Sequence, residues 1–436
     1  MTANHLDPDA LNHLLENHLD KEAWSRALLH LIAVCPECRK AGGAILDLYE
    51  AGAVDLDLCP IAIGLARSRA EAPALFAELE ALPLEARRKT IESDPQWRSW
   101  GLCEHLSDAS ERAAAEDPKK AVHFAELAVV LSLALEEWEP AEQLWLDELR
   151  ANAYAYLGNA QRVSGDLRAA EQSFLQSDRW WSRGGTQAGD VLGYEARILD
   201  LKASLRRAQR RLPESLELLE EALAAPEITP EMRGRVLIKK AKTLEEVGEV
   251  DRAIGVLRDA VPLVEEANDP RLLLCATHNL MWLLAIAGRH LEAHLLVRSV
   301  SGLTASAGGR LDLLRLRWVE AQIAAGFGHL DEAVKILEEV RQEFASQNLG
   351  YDAALVGLEL ATLRLREGRL EEVKILAREA LPLFASQGVT REVLGAATLF
   401  LQAAEAETLT DEVARQVLEF VRRERSSPAR STTKEE

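Results

Sequence analysis

The chain has 436 residues, with 71 acidic against 51 basic side chains and a formal net charge of −20. That balance argues against sequence-independent binding of nucleic acid, which rests on neutralising phosphates with Lys and Arg. No run of about 18 uncharged apolar residues is present to span a bilayer. Met1–Asp7 lacks the basic-then-apolar pattern of a signal peptide. The five cysteines form no paired framework, so a cytoplasmic, reducing setting is expected.

In chain order, Leu14, Leu15 and Leu19, then Trp24, Leu28, Leu29 and Leu31, predict two short helices, with the second opening near Asp20. They lead into His30-Leu-Ile-Ala-Val-Cys35-Pro-Glu-Cys38. Two thiolates at Cys-x2-Cys can grip one zinc ion, and a histidine about a turn earlier can supply a third ligand. His5, His13 and His18 upstream and Cys59 downstream are the nearby candidates for a fourth. Equally, Cys35 and Cys38 can be free thiols or a redox pair, although no strand precedes them as a redox fold requires. The layout resembles the zinc-binding anti-sigma fold, whose signature is His-x3-Cys-x2-Cys at the end of a similar helix. Here the spacing is His-x4-Cys. The resemblance covers about 40 residues, so residues 1–42 are read as a small helical zinc-binding module. It implies an upstream fourth ligand, His5 or His13, and a sigma factor as partner.

Residues 43–144 read as a helical connector. Within it, 97–106, Asp117-Pro118 and 121–135 predict one helix pair, a divergent first repeat or cap, with Pro118 at a helix start where its missing N–H is harmless.

From residue 145 a glycine-led turn recurs. It opens at Gly165, Gly248, Gly288, Gly328 and Gly368, each followed five positions later by Ala170, Ala253, Ala293, Ala333 or Val373. The last four glycines are spaced by 40 residues, and degenerate copies start at Arg210 and Thr408. Each turn separates two stretches of helical periodicity, and alternating runs are absent. Self-similarity at such a period predicts stacked helix pairs that bury their apolar faces only against neighbours.

The best copy runs Tyr154-Ala-Tyr-Leu-Gly158, Gly165-Asp166, Ala170, Phe174, Ser177. It is similar to the tetratricopeptide repeat, with the family's small residue of the first helix at Gly158, Ala203, Ala241, Ala321 and Ala361. The fold class is therefore all-α: a tetratricopeptide-like solenoid over 145–420, followed by an Arg/Ser/Thr/Lys-rich tail at 421–436 expected to be disordered.

In that family the first helix of each unit lines the ligand groove. The resemblance places Asn152, Asn159, Arg162, Arg197, Ser204, Arg207, Arg235 and Lys242 there, then Cys275, His278, Trp282, Trp318, Gln322, Leu355 and Leu358. Such a surface would suit a peptide with an acidic or carboxylate-bearing end and an apolar end. Alternatively, the basic residues pair with the many neighbouring acids, and the tryptophans pack between repeats. No nucleophile elbow, Walker loop, dinucleotide fingerprint or His-Glu-x-x-His is present. The expected function is a non-enzymatic interaction scaffold. The alternatives are a regulator that sequesters a sigma factor through the N-terminal module, and a redox protein using Cys35 and Cys38.

Overall fold

The computed structural model describes residues 60–114, 116–135, 140–184, 193–225, 228–387 and 389–424. These residues form helices and no strand. Contacts divide the chain into two compact units, 1–236 and 237–436. The sequence carries no mark of that division, which falls inside a helix.

In unit 1 the helices are α1 Pro60–Ala81, α2 Leu84–Ser93, α3 Trp100–Ala113, α4 Pro118–Ala134, α5 Pro140–Val163, α6 Leu167–Trp181, α7 Glu195–Ala208 and α8 Leu212–Ala224. A single 3-10 turn, Pro95–Trp97, leads into α3. α9 Pro230–Val247 carries the chain across the division. The stretch read as a connector thus holds two helix pairs, α1/α2 and α3/α4. Helix starts follow local chemistry. Asp117 and Asp166 cap α4 and α6 by accepting backbone N–H groups, and Pro118 occupies the first turn of α4. The first helices α1, α3, α5 and α7 pack on one another in succession, and each second helix packs on its own first helix.

Unit 2 continues with α10 Val250–Glu266, α11 Pro270–Ile286, α12 His290–Ala307, α13 Arg310–Gly326, α14 Leu330–Ser346, α15 Gly350–Arg366, α16 Leu370–Ser386, α17 Arg391–Glu405 and α18 Asp411–Glu424. The segment assigned to a disordered tail needs correcting at its start. Residues 421–424 finish α18, and Val421 is fully buried. Its stripe Ala414, Val417, Leu418, Val421 has helical spacing, and the apolar content of that stripe outweighs the charged composition around it.

The period is visible in the backbone. Gly165, Gly248, Gly288, Gly328 and Gly368 all have positive φ, between 74° and 97°. At each, the N–H of the residue after the glycine bonds five residues back: Asp166 to Gln161, Glu249 to Leu244, Arg289 to Leu284, His329 to Ala324 and Arg369 to Arg364. This is the Schellman closure, which satisfies carbonyls left open at a helix end. Arg210 takes the same conformation at the degenerate copy. At the last copy the left-handed residue is Glu407, one position before the Thr408 expected from spacing. Turns from a second helix to the next first helix repeat too: Asn268 and Asn348, 80 residues apart, are left-handed. Asparagine tolerates that region better than other side chains bearing Cβ.

The cores follow the same register. Ala170, Ser215, Ala253, Ala293, Ala333 and Val373, five positions after each turn residue, are all buried. So are Val264, Thr304, Phe344 and Phe384, spaced by 40 on α10, α12, α14 and α16. In the best copy Gly158 lies directly against the Phe174 ring.

Candidate interaction surface

The proposed zinc ligands His5, His30, Cys35 and Cys38 lie outside the described residues. Among the described residues no cluster of three or more His, Cys, Asp or Glu could hold a metal. Cys103 is buried and donates its thiol to Ala128 O at 3.3 Å, while Cys275 is exposed. Burial raises the Cys103 thiol pKa, which keeps it protonated and unreactive.

In unit 1 the polar side chains of the first helices meet in a seam. α3 supplies Glu104, Asp108 and Glu111, one helical turn apart. Glu104 accepts from Nε and Nη2 of Arg69, on α1, at 2.6 Å each, and from the Tyr194 hydroxyl. Tyr156 of α5 donates to Asp108 at 3.5 Å and accepts from Arg197 Nε of α7 at 3.1 Å. Arg197 also pairs with Glu111 and, at 3.0 Å, with Asp200, and it covers the Tyr156 ring at 5.2 Å. Arg235 of α9 reaches the same Glu111 at 3.8 Å and Glu231 at 3.4 Å. Burial works against the Arg197 charge, but Tyr156, Glu111 and Asp200 outweigh it and hold the guanidinium protonated.

Two of the groove-assigned arginines, Arg197 and Arg235, are therefore brought together on one carboxylate. Arg162 differs. Its Nε and Nη2 donate to Asn159 Oδ1 at 3.2 and 2.8 Å, a neutral acceptor. Burial and then the neighbouring Arg207 charge lower its pKa to about 10, against the partial support of Asp200. Asn152, on the same helix, is buried, and its Oδ1 has no hydrogen-bond partner among the described residues. Desolvation of the carboxyl among the surrounding helices, then Glu104, pushes Asp108 up to about 6, although the residue as a whole is exposed.

Lys242 and the later groove positions belong to unit 2. Lys242 pairs with Glu245 at 2.8 Å, and Glu245 also accepts Trp282 Nε1 at 3.2 Å. Trp282 and Trp318 meet edge to face at 5.5 Å. Trp318 is buried and donates to Glu359 at 2.6 Å, while Gln322 donates to the same oxygen. Arg422 of α18 takes the other oxygen at 2.5 Å. Leu355 and Leu358 are core residues.

The carboxylates organising both seams escaped the sequence reading. Glu104, Asp108 and Glu111 stand at i, i+4 and i+7 of a helix treated as connector, and that spacing was the available signal. Glu359 had none: it is one acid among many, and Arg422 was assigned to the tail.

No protein-family model matches the chain, and no curated protein does. Solved structures do. Aspartyl phosphate phosphatase F from Bacillus subtilis is 14% identical, with 86% of this chain and 89% of that one covered and a TM-score of 0.46. The apo form of RapI is 12% identical over 85% and 97%, also at 0.46. A tetratricopeptide repeat protein from Parabacteroides merdae is 17% identical over 62% and 98%, at 0.39. Among the described residues no helix is long and apolar enough to cross a membrane.

Proposed function

We propose that the chain is a non-enzymatic protein-interaction scaffold, and that the first-helix face of unit 1 takes a carboxylate-bearing segment of a protein partner. The observation behind this is Arg162. Folding places this partly buried guanidinium where desolvation and Arg207 disfavour its charge, with an amide oxygen as its direct acceptor among the described residues. A ligand carboxylate there would supply the missing counter-charge through a bidentate, charge-assisted contact. Asn152 Oδ1 would accept a partner N–H.

Arg162→Met keeps the bulk of the side chain and removes the charge. Peptides ending in Glu or Asp with a free C-terminal carboxylate, read by fluorescence anisotropy, should bind the wild-type chain and lose about tenfold or more in Arg162→Met, in line with a charged hydrogen bond. The melting temperature of the variant should hold or rise. Tight binding that survives the substitution would refute the assignment. Arg197→Ala with Arg235→Ala should also weaken binding by about tenfold or more. It is the less clean variant, because it also removes the Arg197 and Arg235 ion pairs to Glu111 and the Arg197 pair to Asp200.

The N-terminal motif supports a second proposal: His30, Cys35 and Cys38, with His5 as fourth ligand, bind one zinc, and that module contacts a sigma factor. Elemental analysis of protein purified under reducing conditions tests the metal. One zinc per chain is expected. Its absence, with a reversible Cys35–Cys38 disulfide, would favour the redox reading instead.

A further inference from the structure

Second helices in unit 2 share one habit. α12 packs on α11 and α13, α14 on α13 and α15, and α16 on α15 and α17. α18 instead packs on α17 and back onto α15. Its buried stripe is Ala414, Val417, Leu418 and Val421. Beyond the stripe it reaches further. Arg422 donates Nε and Nη2 to Glu359 Oε1 at 3.0 and 2.5 Å, and its guanidinium lies over the Trp282 ring of α11 at 5.6 Å. The Arg423 guanidinium rests against Gly248, in the turn before α10. Tyr351 of α15 donates its hydroxyl to the Val421 carbonyl at 2.6 Å. α18 therefore lies across the positions that the repeat pattern assigns to a ligand, and beneath it remains a cavity of about 310 Å³.

Glu359 gives that face its specificity. The residue is 3% exposed in the middle of a first helix. One oxygen is satisfied within the repeat stack by Trp318 and Gln322, and the other by Arg422 alone of the side chains described. A buried carboxylate adds little stability compared with an apolar residue, but it strongly penalises any occupant that lacks a matching cation. We propose that the face of α11, α13 and α15 is a binding site for an amphipathic helix carrying an arginine near its C-terminal end. α18 is the chain's own occupant of that site. The partner helix repeats its pattern: aliphatic residues one, four and five positions before the arginine that enters the Glu359 pocket. Because α18 is tethered, it competes at high effective concentration and the site opens only to a better-matched helix. The proposal rests on the scaffold reading and names the partner class for unit 2.

The test uses the full chain and, as probe, a fluorescein-labelled peptide of residues 409–424. Arg422→Glu sets a second carboxylate against Glu359 and releases α18, while the groove keeps its own residues. The labelled peptide should bind Arg422→Glu at least about tenfold more tightly than wild type, because the tethered competitor is gone. α18 amides should exchange hydrogen faster in the variant. A labelled peptide carrying Arg422→Glu should bind neither chain. If the Arg422→Glu chain loses its cooperative melt, Leu418→Ser decides instead. That variant weakens the stripe, leaves Arg422 in place, and should likewise admit the native peptide. Equal binding to wild type and variant overturns the proposal. So does failure to bind a folded variant whose α18 amides exchange freely. A wild-type dimer that falls apart in Arg422→Glu would also overturn it, since α18 would then seal two copies together. The probe is the chain's own helix, so these outcomes do not depend on the acidic-peptide reading of unit 1.

Discussion

At the turn residues of the repeats, conformation rather than contact decides identity. Gly288 has φ of 75°, and a Cβ there would meet nothing within 4 Å. Gly288→Ala therefore isolates the backbone term. It should cost about 1–2 kcal/mol, the penalty for a left-handed residue bearing Cβ, measurable by urea unfolding. Asn348→Gly, at a left-handed position already filled by a tolerant residue, should change little by the same measure. Asp108 allows a separate test by pH. Its folded carboxyl sits at about 6, against an ordinary 3.8. Between those values the folded state holds the proton more firmly than the unfolded state, so this group's contribution to stability is lost as pH rises through the window. Asp108→Asn lacks that loss. Relative to wild type, its melting temperature should be higher at pH 7 than at pH 4.5. A constant offset between the two proteins would show that Asp108 is not perturbed.

For a helix in this stack, the question is which face may carry bulk. Gly158 in α5 and Gly255 in α10 are both glycines within helices, where alanine is intrinsically better by about 0.5–1 kcal/mol. Around Gly255 there is open space, so Gly255→Ala should show that gain as a raised midpoint of unfolding. A Cβ on Gly158 would sit 2.7 Å from the Phe174 ring. There overpacking of about 1–3 kcal/mol should outweigh propensity, and Gly158→Ala should lower the midpoint. The sequence made this contrast legible, because Gly158 falls on the small-residue position of the repeat and Gly255 does not. Turns, helix pairs and the buried register five positions after each turn were legible for the same reason: each is a local rule repeated with a period. α18 was not. Its course back across α15 depends on a single stripe and on Arg422 meeting Glu359, 63 residues away, and no local pattern encodes a partner at that distance. The basic groove positions were assigned one by one from their own helices. The pairing of Arg197 and Arg235 with Glu111 depends on α3, a helix outside the repeat array that was read from the sequence.

For the whole molecule, the excess of 20 negative charges and the ladders of ion pairs between neighbouring repeats pull in opposite directions. Arg271 of α11 with Asp312 of α13 and Arg341 of α14 with Glu379 of α16 link neighbouring repeats, and Arg310 with Glu343 joins the two helices of one repeat, mostly through exposed or half-exposed side chains. Pairs of this kind contribute little and are screened by salt. The net charge repels itself throughout the fold, and that repulsion is screened as well. Because the pairs are local and weak while the excess charge is global, screening should favour the folded state. Raising NaCl from about 0.05 to about 0.5 M shortens the Debye length from more than 10 Å to a few Å, and should raise the melting temperature of the full chain. Capture of a carboxylate-bearing peptide beside Arg162 and Arg207 should respond in the opposite sense, weakening over the same range, since it draws on opposite charges near the surface. Measured together on one preparation, the two slopes separate folding from binding. A melting temperature that falls with salt would mean that the inter-repeat pairs outweigh the excess charge. Peptide affinity indifferent to salt would mean that the ligand is held by something other than its carboxylate.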